Sequence, residues 1–139
     1  SSNTNSGGWT SCAMRSTHLP AILALMPTEI QNGIREVNKL TSAGSQSATI
    51  NTTADKLFLL SEVEIFGSTS YSAAGEGTQY DYYKAGNSKV KNRNGSAAIW
   101  WERSPNAGYS TRFCLVDSNG SASIYGASTA RGVAFGFCF

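Results

Sequence analysis

The segment RFCLVDSNGSASIY, residues 112–125, decides the fold of this chain. It holds two strand-like runs, residues 112–116 and 121–125, on either side of Asp117-Ser118-Asn119-Gly120. A cluster of Asp, Ser, Asn and Gly between two such runs is a strong local signal of a β-hairpin, because these residues accept the backbone angles of a tight turn. The segment therefore predicts an antiparallel β-hairpin.

Further strand-like runs flank this hairpin, at residues 97–101 before it and residues 133–139 after it. The continuous apolar run at residues 56–60 is short enough to be a buried strand. The helix signals lie mostly before these strands. Helices first and an antiparallel sheet later are typical of the α+β class, because a parallel sheet would require strands and helices to alternate.

The longest expected helix begins near Thr28. Thr28-x-x-Gln31 is a capping-box pattern, and Ile30, Ile34 and Val37 follow at the spacing of one helical face. Three shorter helices are also expected. They are a helix near Met14 that Pro20 ends or redirects, a single turn from the capping box Ser61-x-x-Glu64 to Gly67, and a helix over residues 78–85 capped by Thr78.

Length and charge narrow the class of protein. A chain of 139 residues is long enough for one hydrophobic core. The net charge is only +2, and the basic residues are scattered, so no nucleic-acid partner is expected. The longest apolar stretch, residues 19–26, is far shorter than the ~20 residues of a membrane span, so no membrane insertion is expected.

The chain opens with small polar residues. Residues 1–8 are typical of a flexible linker, so we expect a single domain over residues 9–139. Such an opening favours a C-terminal domain cut from a longer protein.

Residues that commonly carry chemistry are few and far apart. Cys12, Cys114 and Cys138 lack the paired close spacings of a zinc site and are expected to be buried thiols. A Cys114–Cys138 disulfide stays open as an alternative, since both lie in apolar runs that could be neighbouring strands. His18, the only histidine, is expected to have a structural role at a helix end. We therefore predict no catalytic residue, no bound metal and no cofactor.

The charged residues near the expected strands are interpreted as structural. Glu62 and Glu64 are expected to be exposed or to cap a helix, and residues 75–77 to form a plain loop. Arg103, next to the bend at Pro105, is expected to pair with an acid or with backbone carbonyls.

An ordered series of short motifs resembles a known domain family. The motifs are Gly8-Trp9, Met14-Arg15, Pro27, DKLFLLSEVEIFG at residues 55–67, WWERSP at residues 100–105 and GVAFGFCF at residues 132–139. Together they resemble a bacterial and phage domain family of uncharacterised function, marked by Trp-Trp-Leu-Arg-Ser-Pro and a Gly-Val-Arg-Pro-Ala-Phe-Cys ending. Two departures make this chain a divergent member: Glu102 stands where the motif has Leu, and residues 134–136 stand where it has Arg-Pro-Ala.

The resemblance implies a fold and a class of function. The family is similar to the C-type-lectin-like fold, which is also used by formylglycine-generating enzymes and by the variable proteins of diversity-generating retroelements. It implies N-terminal helices packed on a twisted antiparallel sheet. The calcium motifs of sugar-binding lectins and a catalytic cysteine pair are not recognisable in the sequence, so the resemblance implies a binding scaffold. The core is expected to contain Trp9, Leu57, Leu59, Ile65, Trp100, Val116, Val133 and Phe137.

Residues 106–131 are the expected binding segment. Their polar positions are nearly all Ser, Asn, Gly, Thr and Tyr, the mixture that antibody paratopes use. The same composition is also found in an ordinary soluble sheet edge, but the apolar frames at Trp100-Trp101 and at residues 135–137 favour a binding surface. The candidate contact residues are Asn106, Tyr109, Ser110, Arg112, Leu115, Asp117, Ser121, Ser123, Tyr125, Ser128 and Arg131. Tyr109, Arg112 and Tyr125 are the expected anchors, since Tyr and Arg dominate binding hot spots.

The sequence thus predicts a ligand- or receptor-binding module. The resemblance makes it the diversified variable region of a phage tail or bacterial surface protein. Its partner would be a protein or carbohydrate receptor on a cell surface, and its location extracellular. Two alternatives stay open. One is a structural or assembly domain that uses the same surface in a trimer, and the other is a hydrolase or oxidase with Cys114 or Cys138 as nucleophile.

Overall fold

The computed structural model of the chain describes residues 3–139. Its helical elements are a π-helical turn Met14–His18, α1 Leu19–Ala24, α2 Thr28–Gly33, α3 Glu62–Phe66 and α4 Asp81–Lys84. Its strands are β1 Val37–Ser42, β2 Ile50–Asp55, β3 Phe58–Leu59, β4 Lys91–Arg93, β5 Ser96–Ala98, β6 Trp100–Pro105, β7 Arg112–Val116, β8 Ala122–Gly126, β9 Gly132–Val133 and β10 Phe135–Gly136. No helix within this part of the chain is long and apolar enough to cross a membrane.

The α+β class is confirmed: short helices accompany several mainly antiparallel sheets. The largest sheet has the strand order β8-β7-β6-β9, and two-stranded sheets are formed by β1-β2, β10-β3 and β4-β5. Among the described strands, only β6 and β9 pair in parallel.

The hairpin that decided the class forms as predicted. Arg112 of β7 lies opposite Gly126 of β8, and the pairing continues without a break to Val116. The backbone N–H of Asp117 donates to the carbonyl of Ser121 at 2.8 Å and closes the turn. β7 is an interior strand of the sheet, because β6 pairs along its other edge.

The capping box at Ser61 is also confirmed. The N–H of Glu64 donates to Ser61 Oγ at 3.2 Å, while the N–H of Ser61 donates to Glu64 Oε2 at 3.0 Å. Gly67 ends α3 with φ of 72°, a left-handed conformation that favours glycine.

The long helix predicted from Thr28 to Val37 is wrong. α2 ends at Gly33, because Ile34 turns extended with ψ of 122° and leads into β1. Val37 then pairs with Asp55 of β2. The helix begins after Pro27, and the Thr28 side chain does not cap it.

Two further helix predictions need correction. Pro20 does not end a helix but lies in the first turn of α1, where a missing N–H costs nothing. α4 begins after Tyr80 without a side-chain cap, so Thr78 has no capping role.

Six of the expected core side chains are buried, namely Trp9, Leu57, Leu59, Ile65, Trp100 and Val116. They divide into two clusters, one around Trp9 and Leu59 and one around Ile65 and Trp100. Val133 and Phe137 are not core residues, since they are 38% and 39% exposed. The strands at this end of the chain are only two residues long and lie at sheet edges, so one side stays open to solvent.

The polar opening is not a linker where the structure describes it, from residue 3 onward. Asn5 is buried, and its backbone N–H donates to the carbonyl of Ser110 at 2.7 Å. Its Nδ2 donates to the carbonyls of Arg112 and Tyr109 at 2.7 and 3.0 Å, and its Oδ1 accepts from the N–H of Ser45 at 2.8 Å. Asn5 therefore fastens the start of the chain to the loop before β7.

The three thiols are free, so the Cys114–Cys138 disulfide does not form in this structure. Cys114 is buried as expected, whereas Cys12 is half-buried and Cys138 is exposed. Cys138 lies apart from β7, because its backbone instead forms a bridge with Arg35.

Candidate functional site

One face of the largest sheet forms the floor of the candidate site. Trp101 of β6 lies opposite Leu115 of β7, and Phe113 of β7 lies opposite Tyr125 of β8. Successive side chains of a strand point to opposite faces, so these four side chains share one face. We call it the cavity face.

The other face packs on the helices. Trp100 and Val116 are opposite each other in the register and form a buried cluster with Ile65 of α3. By the same alternation, Cys114 and Arg112 lie on this α3 face.

Asp55 holds the N-terminal segment in place. The indole N–H of Trp9 donates to Asp55 Oδ2 at 2.9 Å, and Arg15 Nε donates to Oδ1 at 2.6 Å. Thr53 Oγ1 donates to Oδ2 at 2.6 Å. The buried carboxylate thus has a charged partner and several donors, which removes most of the cost of burying it.

A cavity of about 600 Å³ lies between this N-terminal segment, the cavity face and the loop at residues 127–131. Trp101 and Phe113 contribute aromatic walls, Met14 and His18 come from the π-helical turn, and Arg131 closes one side. This volume is within the range of small-molecule sites, which are concave and mostly apolar with a few polar groups.

Two arginines lie over tyrosine rings near this end of the β7–β8 hairpin. The Arg131 guanidinium carbon is 4.3 Å from the centroid of the Tyr125 ring, and that of Arg112 is 4.5 Å from Tyr109. Such pairs hold the cation over the ring face and keep a polar edge free for a partner. Arg112 and Tyr125 project from opposite faces of the hairpin, so the two pairs do not form one flat patch.

Most of the predicted contact residues are accessible. Tyr109 and Tyr125 are 55% and 49% exposed, and Arg131 is half-buried at the cavity wall. Ser110, Arg112, Ser121 and Ser128 are exposed, while Asp117 and Ser123 are half-buried. Ser128 lines the cavity together with Arg131.

Two of the predicted contact residues are buried and cannot touch a partner in this structure. Leu115 occupies the middle of an interior strand. Asn106 is a structural residue, because its Nδ2 donates to the carbonyl of Tyr71 at 2.9 Å and its Oδ1 accepts from the N–H of Gly108 at 3.1 Å. These two assignments are therefore corrected.

Asp117 and Ser121 are brought together, but away from the cavity. They lie in the turn at the other end of the hairpin. Asp117 Oδ1 accepts from the N–H of Ser118 at 2.7 Å, so its carboxylate stabilises the turn. The predicted segment is thus divided between a turn at one end and the two arginine–tyrosine pairs at the other.

A buried polar network is centred on Arg103. Its Nη1 donates to Glu64 Oε2 at 2.5 Å and its Nη2 to Glu64 Oε1 at 3.0 Å. The remaining donors reach the carbonyls of Leu40, Leu59 and Glu76. The prediction that Arg103 pairs with an acid or with backbone carbonyls is confirmed, since it does both.

Glu64 and Glu62 are both buried, so they are not exposed, but the alternative that they cap a helix is confirmed for Glu64, whose carboxylate accepts from the N–H of Ser61. Burial raises the pKa of Glu64, but the hydrogen bonds and charge of Arg103, the N–H of Ser61 and the charge of Lys39 outweigh it, so the pKa is lowered. Glu62 accepts hydrogen bonds from the backbone N–H groups of residues 71 and 72. Both acids therefore hold loops and helix α3 in place.

Glu102 is the exception among these buried acids, because its carboxyl group has no hydrogen-bond partner in the described part of the chain. Between Trp101 and Pro105 the register of β6 against β7 shifts, and Glu102 lies in this irregular stretch. Neither of its carboxyl oxygens has a hydrogen-bond partner among residues 3–139. Burial, followed by the negative charges of Glu62 and Glu76, raises its pKa well above the usual range.

The same environment makes Cys114 a poor nucleophile. Burial raises the pKa of its thiol, and the charges of Glu102, Glu62 and Glu76 add to the effect. A thiol that resists deprotonation in an apolar interior reacts slowly. Within residues 3–139, no three histidine, cysteine or acidic side chains lie together in a way that could hold a metal ion.

Sequence reasoning missed the cavity and two of its walls. Trp101 was treated with Trp100 as one apolar frame, although neighbouring residues of a strand face opposite sides. Phe113 alternates with the buried Cys114 in the same way. The alternation of side chains along a strand is therefore enough to predict that Trp101 and Phe113 point away from the core beside α3. His18 does end the π-helical turn, but it also lines the cavity.

Comparisons with known proteins place the chain in a family. A family model described as a domain of unknown function (DUF6273) matches residues 1–138, and the chain therefore belongs to this family. Comparisons with the curated proteins and with the solved structures find no match.

Proposed function

We propose that this domain is a non-enzymatic binding module that recognises a ligand or receptor at the cavity end of the β7–β8 hairpin. The observation that carries the proposal is the exposure of Tyr109 and Tyr125, each under an arginine, with Arg131 of the second pair also lining a cavity of small-molecule size. Tyrosine and arginine supply most of the energy of many interfaces, and large exposed tyrosines add nothing to the core.

The neighbouring residues support this proposal. Ser110 and Ser128 are exposed next to the tyrosines and offer hydroxyl groups that adapt to a partner. By contrast, the charged groups of the Arg103 network are already bonded to one another. The groups that are free to bind therefore lie at the hairpin and not in the interior.

The family resemblance supplies a setting for the module. We propose a C-type-lectin-like scaffold that serves as the variable region of a phage tail or bacterial surface protein, with a protein or carbohydrate receptor as its partner. The gene's neighbourhood tests this setting. A reverse transcriptase beside a near-copy of the DNA for residues 106–131, differing only at adenines, would support it, whereas a neighbourhood without either would argue against diversification.

The binding proposal is tested by replacing Tyr109, Arg112 and Tyr125 with alanine together. The labelled domain is titrated onto whole bacterial cells, with binding read by flow cytometry. Loss of hot-spot side chains should weaken binding by about tenfold or more. The matched control is Tyr82→Ala on α4, because Tyr82 is as exposed as Tyr109, at 55%, but lies outside the hairpin. Equal binding by the triple variant and the control would place the binding surface elsewhere.

An enzyme that uses Cys114 as nucleophile is disfavoured by the raised pKa of that thiol. Alkylation of the native protein separates the two cases. Cys114 should resist the reagent until the domain unfolds, while the exposed Cys138 is labelled at once. Rapid labelling of Cys114 in the folded domain would instead favour an enzyme with Cys114 as nucleophile.

An assembly domain is a second candidate because apolar side chains are exposed at the chain's end. Phe137 and Phe139 are in edge-to-face contact, with ring centroids 5.2 Å apart, and both reach solvent. Burying such a pair between subunits would be favourable. Light scattering should show a trimer that Phe137→Ser and Phe139→Ser dissociate if the domain assembles, and a monomer for both proteins if it does not.

A further inference from the structure

The cavity beside Arg131 differs from the open hairpin surface because it is concave and has room for a small chemical group. Its volume of about 600 Å³ exceeds that of a single six-membered ring and is far too small for a folded partner. A binding module with such a cavity can accept a protruding group of a larger receptor or a free small molecule.

The walls are suited to a compact ring. Trp101 and Phe113 come from adjacent strands of the cavity face, and both are half-buried. Half-buried aromatic side chains already expose part of a flat apolar ring, so a ligand can pack on them without displacing other residues. Hydroxyl side chains surround them at Ser6, Ser11 and Ser128.

Arg131 supplies a charged edge at the same cavity. Its Nη1 donates to the carbonyl of Ala130 at 3.0 Å, and its plane lies over Tyr125. Its Nε is buried and has no hydrogen-bond partner among residues 3–139. Because Nε is closed off from solvent, the donors left for a ligand are those of Nη2, which has no hydrogen bond to residues 3–139 and is not buried.

The acid that lines the cavity opposes an anion less than an exposed carboxylate would. Glu102 is the one acid among the described lining residues, and both of its carboxyl oxygens are buried. Burial and the nearby acids raise its pKa, so it stays neutral to a higher pH than an exposed carboxyl. The positive charge of Arg131 at the cavity is therefore only partly offset by Glu102.

We infer that the cavity binds a ring that carries a carboxylate, with the ring against Trp101 and Phe113 and the carboxylate on the Nη2 donors of Arg131. The inference rests on the proposed binding function and names the ligand chemistry of that site. The ring has two sources, a sugar acid of a surface glycan or a free aromatic acid, and these share the same recognised groups.

The experiment is an NMR titration of the labelled domain with two probes, glucuronate and phenylacetate. Their neutral counterparts, glucose and phenylacetamide, serve as ligand controls. Shifts are expected in the Trp101 indole N–H and in residues 127–131, with a dissociation constant of about 1 mM or lower for one or both acids. The neutral counterparts should bind at least about tenfold more weakly, because they lack the charged bonds to Arg131. The responding acid identifies the source of the ring.

Variants then assign the contact. Arg131→Gln should weaken binding of the acid by about tenfold or more, since it removes the charge and one donor edge. Arg131→Lys keeps the charge but loses the Nη2 donors at their position, and should still weaken binding by about threefold or more. The matched control, Arg93→Gln, makes the same charge change at an exposed position on β4 and should bind as the parent does.

The inference fails if neither acid shifts the cavity residues, if acids and neutral counterparts bind equally, or if both Arg131 variants bind as the parent does. These outcomes leave the proposed function standing as long as the triple alanine variant loses cell binding. Equal cell binding by the triple variant and Tyr82→Ala would remove the proposed function instead.

Discussion

The chain uses arginine in two opposite ways. Arg103 is 1% exposed, and every nitrogen of its guanidinium donates to Glu64, to Thr41 or to a backbone carbonyl. Arg131 and Arg112 lie over exposed tyrosine rings at the hairpin and have few protein partners.

This difference separates residues that hold the fold from residues that are available to a partner. A buried arginine whose donors are all used has no bond left to offer, and its removal leaves an acid unpaired in the interior. An arginine stacked on an exposed ring keeps a free edge, and its removal leaves nothing buried without a partner. Stability and binding should therefore respond to different arginines.

The largest change in stability is expected from Arg103→Met. Without the guanidinium, the carboxylate of Glu64 stays buried with only Lys39 as a charged partner, so the domain should lose about 3–5 kcal/mol of unfolding free energy. Urea unfolding measures the change. Arg112→Met is the matched control and should change stability by less than about 0.5 kcal/mol. Similar losses for the two variants would break the comparison.

Asn5→Ala should cost somewhat less, about 2 kcal/mol, because it leaves the N–H of Ser45 and the carbonyl of Arg112 without a side-chain partner. Since Asn5 fastens the loop before β7, amide exchange of residues 106–112 should also become faster. Ser6→Ala, an exposed neighbouring change, is the control. Unchanged exchange in that loop would mean that the start of the chain does not hold the hairpin.

Glu102→Leu is expected to stabilise the domain by about 1–2 kcal/mol near neutral pH, because it removes a buried carboxyl that has no partner among the described residues. Burial and the nearby acids raise the pKa of Glu102 in the folded state above its ordinary value of 4.5. Above that pH the unfolded chain releases a proton that the folded state retains, so stability falls as pH rises toward the raised pKa. The gain should therefore be larger at about pH 7 than at about pH 4.

Unfolding curves at both pH values test this. Glu76 also lowers the unfolding free energy as pH rises, because burial raises its pKa despite the hydrogen bonds from Ser104 and Ser42. The Glu102→Leu variant should therefore still lose some stability as pH rises. A gain of the same size at both pH values would show that Glu102 is ionised in the folded domain.

What the sequence could predict depended on how local each signal is. The capping box at Ser61, the αL glycine at residue 67 and the turn at Asp117 are set by residues within a few positions of one another, and all formed as predicted. The end of α2 is not local. Ile34 and Val37 have helical spacing, but pairing of β1 with β2 extends the chain there.

Burial was the harder part of the prediction for the same reason. Glu62 and Glu64 are buried because donors arrive from residues 71, 72 and 103, which no local pattern links to them. Phe137 has the sequence of a core strand, but β10 ends at Gly136 and the Phe137 side chain is exposed. The cavity needs residues 4–18 to come over the sheet, so it could not be read from the hairpin alone.

We propose that exposed hairpin residues bind a partner while the Arg103 network holds the fold. The most direct test is one paired measurement on the variant with alanine at Tyr109, Arg112 and Tyr125. Its melting temperature and its binding to bacterial cells are measured on the same sample. We expect binding to fall by about tenfold or more while the melting temperature shifts by no more than about 4 °C. Unfolding of the variant at the parent's working temperature, or unchanged binding by a folded variant, would contradict the division of roles between the two regions.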